Sequence, residues 1–239
     1  MRRTFDSFIF TLSQIVDARD PLTAGHSHRI MLYADAIATK AGWPKKQREV
    51  LKTAALLHDL GKIGIRENIL TKKGRLTKEE YEHIQSHVLL TSNFLNQIYF
   101  SREFKQVPQM ATTHHERLDG SGYPQGLVGE NILPGGRILA IADIFDALTS
   151  KRHYRDRMDL QKVYQILEEG AGKEFDADYV AYFTQISLHD LVLILEYDQQ
   201  LCLSAEEIDV LKRHSFADLI EQLRSAPQTT DCEKVFLKY

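Results

Sequence analysis

The sequence predicts an all-α fold, and two observations support this prediction. Apolar residues recur at spacings of three and four along most of the first 186 residues, which is typical of amphipathic helices. The alternation of apolar and polar residues that marks a half-buried strand is nearly absent from the same region. A length of 239 residues, 43% of them hydrophobic, is enough for one large domain or two small ones.

Three helices are predicted before residue 60. Apolar spacing predicts the first over residues 3–19, which the Asp-Pro pair at 20–21 should end. A second helix carries the apolar stripe of residues 30–38, and Gly42 should end it, because glycine readily adopts the left-handed conformation of a helix C-terminus. Pro44 can open the third helix.

A capping box of Thr77 and Glu80 predicts the start of the next helix, which should continue to Leu95. In a capping box the two side chains pair with backbone N–H groups that the helix leaves unsatisfied. Four further segments show helical spacing, at residues 102–115, 136–149, 159–169 and 177–186.

Two irregular stretches separate these helices, at residues 61–76 and 116–135. The second is long for a plain connection and rich in glycine, which permits close approach of the backbone to a neighbour. We therefore expect a functional loop there.

The pattern changes after residue 187. The apolar run at 191–195 fits either a short strand or a buried helical turn, and Ser204 with Glu207 caps a further helix. We interpret residues 1–186 as one helical domain of all-α bundle type and residues 187–239 as a C-terminal extension.

Composition excludes several classes of protein. A net charge of −3 gives no general basic field, so DNA is not expected as a partner. Cys202 and Cys232 lack the spacing of a zinc knuckle or a disulfide framework. No apolar run is long enough to span a bilayer, and no secretory signal is recognisable. We expect a cytoplasmic protein without a membrane anchor.

Seven polar side chains lie near predicted helix ends or on helix faces that are otherwise apolar. A single histidine in such a place is more often a hydrogen-bonded core residue than a metal ligand. The adjacent pair of imidazole and carboxylate at the end of a buried helix argues against that interpretation, because neither group has an obvious structural partner. A divalent metal would satisfy both. The seven residues are His26, His58, Asp59, His87, His114, His115 and Asp143.

Adjacent ligands favour two metals over one. Consecutive helical residues diverge by about 100°, so His58 with Asp59, or His114 with His115, could serve one ion only if the helix end unwinds. A carboxylate can bridge two ions, and Asp59 is our candidate bridge. Nitrogen and oxygen ligands without thiolate suit iron, manganese or another first-row metal better than structural zinc.

Basic residues beside these candidates admit two interpretations. Lys62 follows Asp59 by three positions, and Arg152 and Arg155 begin just after the helix that carries Asp143. Such charges are usually solvated surface groups. Near a metal pair they could instead bind phosphate oxygens of a substrate.

Three motifs together resemble the HD-GYP family, a branch of the HD superfamily of metal phosphohydrolases. They are LLHDLGKIGI at 56–65, HHERLDGSGYP at 114–124 and IADIFDALTS at 141–150, and the resemblance extends from about Asp17 to Phe183. It implies a helical HD fold that hydrolyses cyclic di-GMP to pGpG or on to GMP, using a centre that commonly holds iron or manganese. The resemblance assigns all seven polar residues as ligands.

The resemblance also assigns residues around the metals. Lys62 matches a motif lysine beside the centre, and Arg152 and Arg155 match positions that contact the substrate. The loop that names the family corresponds to Asp119, Gly120, Gly122, Tyr123 and Pro124. It is implicated in substrate contact and in binding diguanylate cyclases. Tyr123 could stack on a base or dock on a partner, or it could be packed within a rigid turn.

Some family members bind a third metal through a Glu where this chain has Leu22, so two metals are expected here. Three other functions stay open. The substrate could be another cyclic dinucleotide such as cyclic GMP-AMP, or a mononucleotide. The chain could be a slow enzyme that chiefly recruits a diguanylate cyclase, or a helical bundle that binds no metal. A homodimer is compatible with each of them.

Overall fold

The structure of the protein is a computed structural model that describes residues 2–19, 25–150, 157–197, 199, 201–225 and 230–239. Leu22, Arg152 and Arg155 lie outside these residues, so the expectations attached to them have no structural counterpart. The predicted all-α fold is confirmed, since the described residues form α-helices, short 3-10 helices and loops but no strand.

In the described part of the chain, seven α-helices precede the loop at 116–135. They are α1 Arg2–Arg19, α2 His26–Lys40, α3 Lys45–Leu57, α4 Glu67–Leu70, α5 Lys78–Gln85, α6 His87–Leu95 and α7 Val107–Ala111. Gly42, with φ of 74°, follows α2 as predicted. The capping box of Thr77 and Glu80 is also present at α5.

Seven further α-helices follow the loop among the residues that the structure describes. They are α8 Pro134–Thr149, α9 Leu160–Gly170, α10 Ala177–Thr184, α11 Leu188–Leu195, α12 Ala205–Arg213, α13 Phe216–Ser225 and α14 Asp231–Phe236. The apolar run at 191–195 lies in α11, which decides between the two predicted alternatives in favour of helix. Ser204 and Glu207 form the predicted capping box at α12.

Two predicted helices are shorter than expected. The single helix predicted from residue 77 to Leu95 is broken at Ser86, whose hydroxyl donates to the backbone oxygen of His83 at 2.6 Å. A serine that bonds back to its own helix in this way often bends it. The segment 102–115 forms only a 3-10 helix at Arg102–Phe104 and the short α7. Both breaks lie beside candidate ligands.

Helix α2 runs through the middle of the fold and packs against α3, α8, α10 and α11. Its Tyr33 is fully buried and lies edge-on to Phe145 of α8, with ring centroids 5.2 Å apart. Phe183 of α10 stacks obliquely on Phe145 at 4.6 Å. This aromatic cluster holds α2 and α8 together, and these helices carry His26 and Asp143.

The C-terminal extension shares this core. Phe216 of α13 is fully buried, and its ring centroid lies 5.7 Å from that of Phe145 and 6.0 Å from that of Phe183. The buried residues of α11, α13 and α14 belong to the same hydrophobic cluster as those of α2, α3 and α8. The extension therefore contributes to the packing behind α8.

Among the described helices, none has both the length and the apolar character that crossing a bilayer requires.

Replacing Phe216 with Ala should destabilise the whole chain and not the extension alone. Truncating a fully buried phenylalanine typically costs about 3–5 kcal/mol, and this ring contacts the aromatic cluster behind α8. Urea unfolding followed through Trp43, the single tryptophan, reports on the region between α2 and α3. The midpoint of that transition should fall.

Leu237→Ala is the matched control, because this extension leucine is 55% exposed and should change stability by less than about 0.5 kcal/mol. An unchanged Trp43 transition in Phe216→Ala would show instead that the two parts unfold independently.

Candidate metal centre

Asp59 lies at the centre of the polar cluster and is only 4% exposed. Its Oδ1 is 3.2 Å from Nε2 of His87, and its Oδ2 is 3.3 Å from Nε2 of His58 and 3.6 Å from Nε2 of His26. Lys62 approaches the same Oδ2 with its Nζ at 2.5 Å. One carboxylate thus faces three imidazoles and an ammonium group.

Asp143 of α8 connects the two ends of the cluster. Its Oδ1 lies 3.5 Å from Nε2 of His26, and its Oδ2 lies 3.7 Å from Nδ1 of His115. Both aspartates therefore face histidines that come from different segments of the chain.

The adjacent pairs of candidate ligands lie where helices end. α3 ends at Leu57, and His58 keeps helical angles, whereas Asp59 has φ of −101° and ψ of 10°. His114 and His115 follow the end of α7 in a turn. Unwinding at these positions lets neighbouring side chains face one cluster, which continuous helices would prevent.

Three histidines are oriented by their own helix ends. Each donates an Nδ1–H to the backbone oxygen three residues earlier, at 2.6–2.7 Å, and since a carbonyl can only accept, the proton must be on Nδ1. The other nitrogen, Nε2, is then the one that can offer a lone pair to a metal when the ring is neutral. It is buried in each case and makes no hydrogen bond with any described residue. The three are His58, His87 and His114.

His26 is oriented by a longer network. Its Nδ1 lies 2.8 Å from Oδ2 of Asp146, a residue of α8 that is 1% exposed. Arg29 donates its Nε to Oδ1 of Asp146 at 2.6 Å, and Ser150 donates its hydroxyl to Oδ2 at 3.1 Å. A carboxylate behind a metal-binding imidazole commonly fixes its tautomer and orientation.

Close packing brings α6 to the end of α3. A Cβ atom on Gly61 would lie 1.9 Å from the backbone oxygen of His87, so only glycine fits there. Thr91 of α6 accepts from the Gly61 N–H at 2.8 Å and donates to the backbone oxygen of His58 at 3.2 Å. These contacts fix the separation of the two histidines.

The loop at 116–135 folds back onto the histidine pair. Tyr123 stacks on the ring of His115 with centroids 4.6 Å apart, and its N–H donates to the His115 backbone oxygen at 3.1 Å. Glu116, 1% exposed, accepts backbone N–H bonds from Gln125 at 2.8 Å and Leu127 at 2.9 Å. The loop is therefore bound to the residues that precede it.

The protonation states suit a cation. Burial lowers the pKa of His114 well below its usual value and that of His115 to about 3, so both rings are neutral near pH 7. Burial alone would raise the pKa of Asp59, but Lys62 and His58 outweigh it and keep the carboxylate ionised.

His26 behaves in the opposite way. Burial favours its neutral form, but hydrogen bonds with Asp146 and Asp59 outweigh burial and raise its pKa to about 10. The carboxylates around it thus favour a positive charge at this position.

The donor set fits divalent metal. In three overlapping groups the ligand atoms lie within 4.8 Å of one another: His26, His58 and Asp143; His58, Asp59 and His114; and His87, His114 and His115. Buried Nε2 atoms face carboxylate oxygens, and once the imidazoles are neutral both groups can donate lone pairs to a cation that lies between them.

Sequence patterns did not identify the residues that support the candidate ligands, namely Asp146, Arg29, Thr91 and Glu116. Each acts through a contact with a residue distant in sequence or with the backbone, which no spacing rule detects. Asp146 alone had a local signal, because it lies three positions after Asp143 on the same helix face.

Several relatives match this chain in sequence. The Vibrio cholerae protein named 3'3'-cGAMP-specific phosphodiesterase 3 is 41% identical over 176 residues, which cover 74% of this chain and 38% of that protein. The Thermotoga maritima protein named cyclic di-GMP phosphodiesterase is 35% identical over 186 residues, which cover 76% of this chain and 50% of that protein. The chain thus matches half or less of the length of these relatives.

Two solved structures share the fold. A cyclic GMP-AMP specific phosphodiesterase of Vibrio cholerae, V-cGAP3, aligns with a TM-score of 0.57 and 18% identity over 97% of this chain and 58% of that chain. Bd1817, described as an HDG"Y"P protein from Bdellovibrio bacteriovorus, aligns with a TM-score of 0.55 and 19% identity over 66% of this chain and 50% of that chain.

The profile of the HD domain family matches residues 11–179, most of the chain and all three motifs. The chain therefore belongs to the HD domain family, in agreement with its resemblance to the HD-GYP branch.

Proposed function

We propose that the protein is a metal-dependent phosphodiesterase that hydrolyses cyclic di-GMP to pGpG, GMP or both. The observation that carries the proposal is the cluster of buried imidazoles around Asp59, in which the Nε2 atoms of His58 and His87 lie 3.2–3.3 Å from the ionised carboxylate without a hydrogen bond to any described residue. Relatives named as cyclic dinucleotide phosphodiesterases support the choice of substrate class.

Membership of the HD domain family implies divalent metal binding. We propose two ions, with iron or manganese preferred because the donors are imidazoles and carboxylates without thiolate. His26, His58 and Asp143 would bind one ion, and His87, His114 and His115 the other. Asp59 would bridge them. When bound, such ions make water nucleophilic at neutral pH and stabilise charge on phosphoryl oxygens.

The chain's own residues would orient the substrate. Lys62, whose side chain is 17% exposed, can turn from Asp59 towards a phosphate oxygen at the mouth of the site. Arg152 and Arg155 follow α8 directly in sequence and would bind the second phosphate or the bases. Tyr123 would contact the substrate with the ring face and edge that His115 leaves open.

A second candidate substrate is 3'3'-cyclic GMP-AMP, which appears in the name of a 41% identical relative. Incubation of the metal-loaded protein with cyclic di-GMP, cyclic GMP-AMP and a cyclic mononucleotide, followed by product identification, separates these substrates. If the protein hydrolyses none of these substrates, the regulatory alternative is favoured, in which the GYP loop recruits a diguanylate cyclase.

We further propose that residues 1–186 form the catalytic domain, because they contain every proposed ligand, and that residues 187–239 support it from behind α8. We also propose that the protein acts in the cytoplasm, where a cyclic dinucleotide messenger would be its substrate. Self-association as a homodimer can be measured by light scattering.

Replacing His58 or Asp59 with Ala should remove bound metal and turnover together. Each substitution deletes a buried donor at the centre of the cluster, so metal content should fall and activity should drop by at least about a hundredfold. Elemental analysis and a product assay on the same preparations measure both effects.

His189→Gln is the control for that experiment, because this histidine of α11 pairs with Asp190 outside the cluster. It should retain metal and activity. Full activity in either Ala variant would refute the proposed chemistry.

Metal binding near neutral pH should release a proton from His26. A ligand must give up its proton to bind, and His26 has a pKa of about 10, whereas His114 and His115 are already neutral. Affinity for the ion that uses His26 should therefore rise about tenfold per pH unit between pH 6 and 9. Titration calorimetry in buffers of different ionisation enthalpy counts the protons.

Asp146→Asn should reduce this proton release, because Asp146 is the hydrogen-bond partner that most strongly raises the pKa of His26. Binding without proton release in the unaltered protein would contradict the assignment of His26 as a ligand.

A further inference from the structure

We propose that the loop from Asp119 to Leu127 is a positioning element for His115, in which the ring of Tyr123 holds the imidazole in its ligand orientation. This inference rests on the proposed function in one respect, since it takes His115 as a metal ligand. It assigns Tyr123 a role that does not require contact with a substrate.

His115 differs from the other histidines of the cluster. Each of the others has one ring nitrogen hydrogen-bonded to a backbone oxygen or to Asp146, which fixes the direction of the second nitrogen. Among the described residues, His115 has no such bond, and Oδ2 of Asp143 is 3.7 Å from its Nδ1. Something else must therefore orient its ring.

Tyr123 supplies the missing constraint. Its ring stacks on the imidazole with centroids 4.6 Å apart and planes inclined by 29°. Its backbone N–H donates to the His115 oxygen at 3.1 Å, so one residue restrains both the side chain and the backbone of the histidine. A stacked ring blocks the rotation that would swing the imidazole away from the cluster.

The loop is itself anchored tightly enough for this task. The buried carboxylate of Glu116 accepts one N–H with each oxygen, from Gln125 at 2.8 Å and from Leu127 at 2.9 Å. A Cβ atom on Gly122 would lie 2.4–2.5 Å from the backbone of residues 115–117, so the loop backbone rests directly on the histidine segment. These contacts fix the distance between the rings of Tyr123 and His115.

Substrate stacking alone does not explain this arrangement. A base that stacks on the open face of Tyr123 makes no use of the other face, which lies against His115. Removal of the ring should therefore disturb metal binding before any substrate is added.

The test compares Tyr123→Leu, which keeps apolar bulk but removes the ring, with Tyr123→Phe, which keeps the ring and removes the hydroxyl. Affinity and stoichiometry for Mn²⁺ are measured by titration calorimetry without substrate. We expect Tyr123→Phe to match the unaltered protein and Tyr123→Leu to bind one of two ions at least about tenfold more weakly. Unchanged affinity in Tyr123→Leu, or equal loss in Tyr123→Phe, overturns the proposal.

Glu116→Gln provides a second variant that leaves Tyr123 in place. The amide nitrogen cannot accept a hydrogen bond, so one loop N–H loses its partner and the loop loosens. We expect weaker binding of the same ion, with circular dichroism confirming the helical fold. Wild-type affinity in this variant also counts against the proposal.

The calorimetric result is independent of the proposed reaction. If the unaltered protein binds two ions but hydrolyses no cyclic dinucleotide, the proposed function fails while a loss in Tyr123→Leu still supports the positioning role. If the unaltered protein is active and Tyr123→Leu keeps both ions but has a raised KM, only the positioning role fails.

Discussion

The constraint on which this structure depends is the ionised carboxylate of Asp59 in a helical core. Burial of such a charge costs several kcal/mol unless positive charge faces it. Lys62 faces its Oδ2, and the buried Nε2 atoms of His58 and His87 lie 3.2–3.3 Å from its oxygens without a hydrogen bond in the described part of the chain. A divalent cation between these nitrogens and the carboxylate would be bound by both and would add positive charge beside Asp59. The arrangement of donors around Asp59 therefore suits a metal.

Local geometry explains why much of this site could be predicted. His58, His87 and His114 are each oriented by a carbonyl three residues earlier, so the nearby sequence contains both the candidate ligand and the group that directs it. His26 is different, because its partner Asp146 lies 120 residues away. No periodicity predicts such a pair, and only packing of α2 against α8 creates it. The stacking of Tyr123 on His115 likewise depends on how the loop folds.

The same distinction applies to the fold. Apolar spacing and capping residues predicted most helices, because both signals act within one or two turns. The break at Ser86 was missed, since the segment lacks proline and glycine and its apolar pattern continues across it. The break has two causes. One is the local hydrogen bond from Ser86 to His83, and the other is the close packing of the His87 backbone against Gly61. Periodicity contains no information about that contact.

The extension also bears on the site through α8. Phe145 lies between Asp143, which faces the cluster, and Asp146, which orients His26, and its own ring is 1% exposed. Phe216 packs on that ring from the extension, at 5.7 Å between centroids. Because α8 is rigid over one turn, displacement of Phe145 would move both aspartates together. A segment that contributes no ligand therefore helps to set the distance between Asp143 and the histidines of the neighbouring helices.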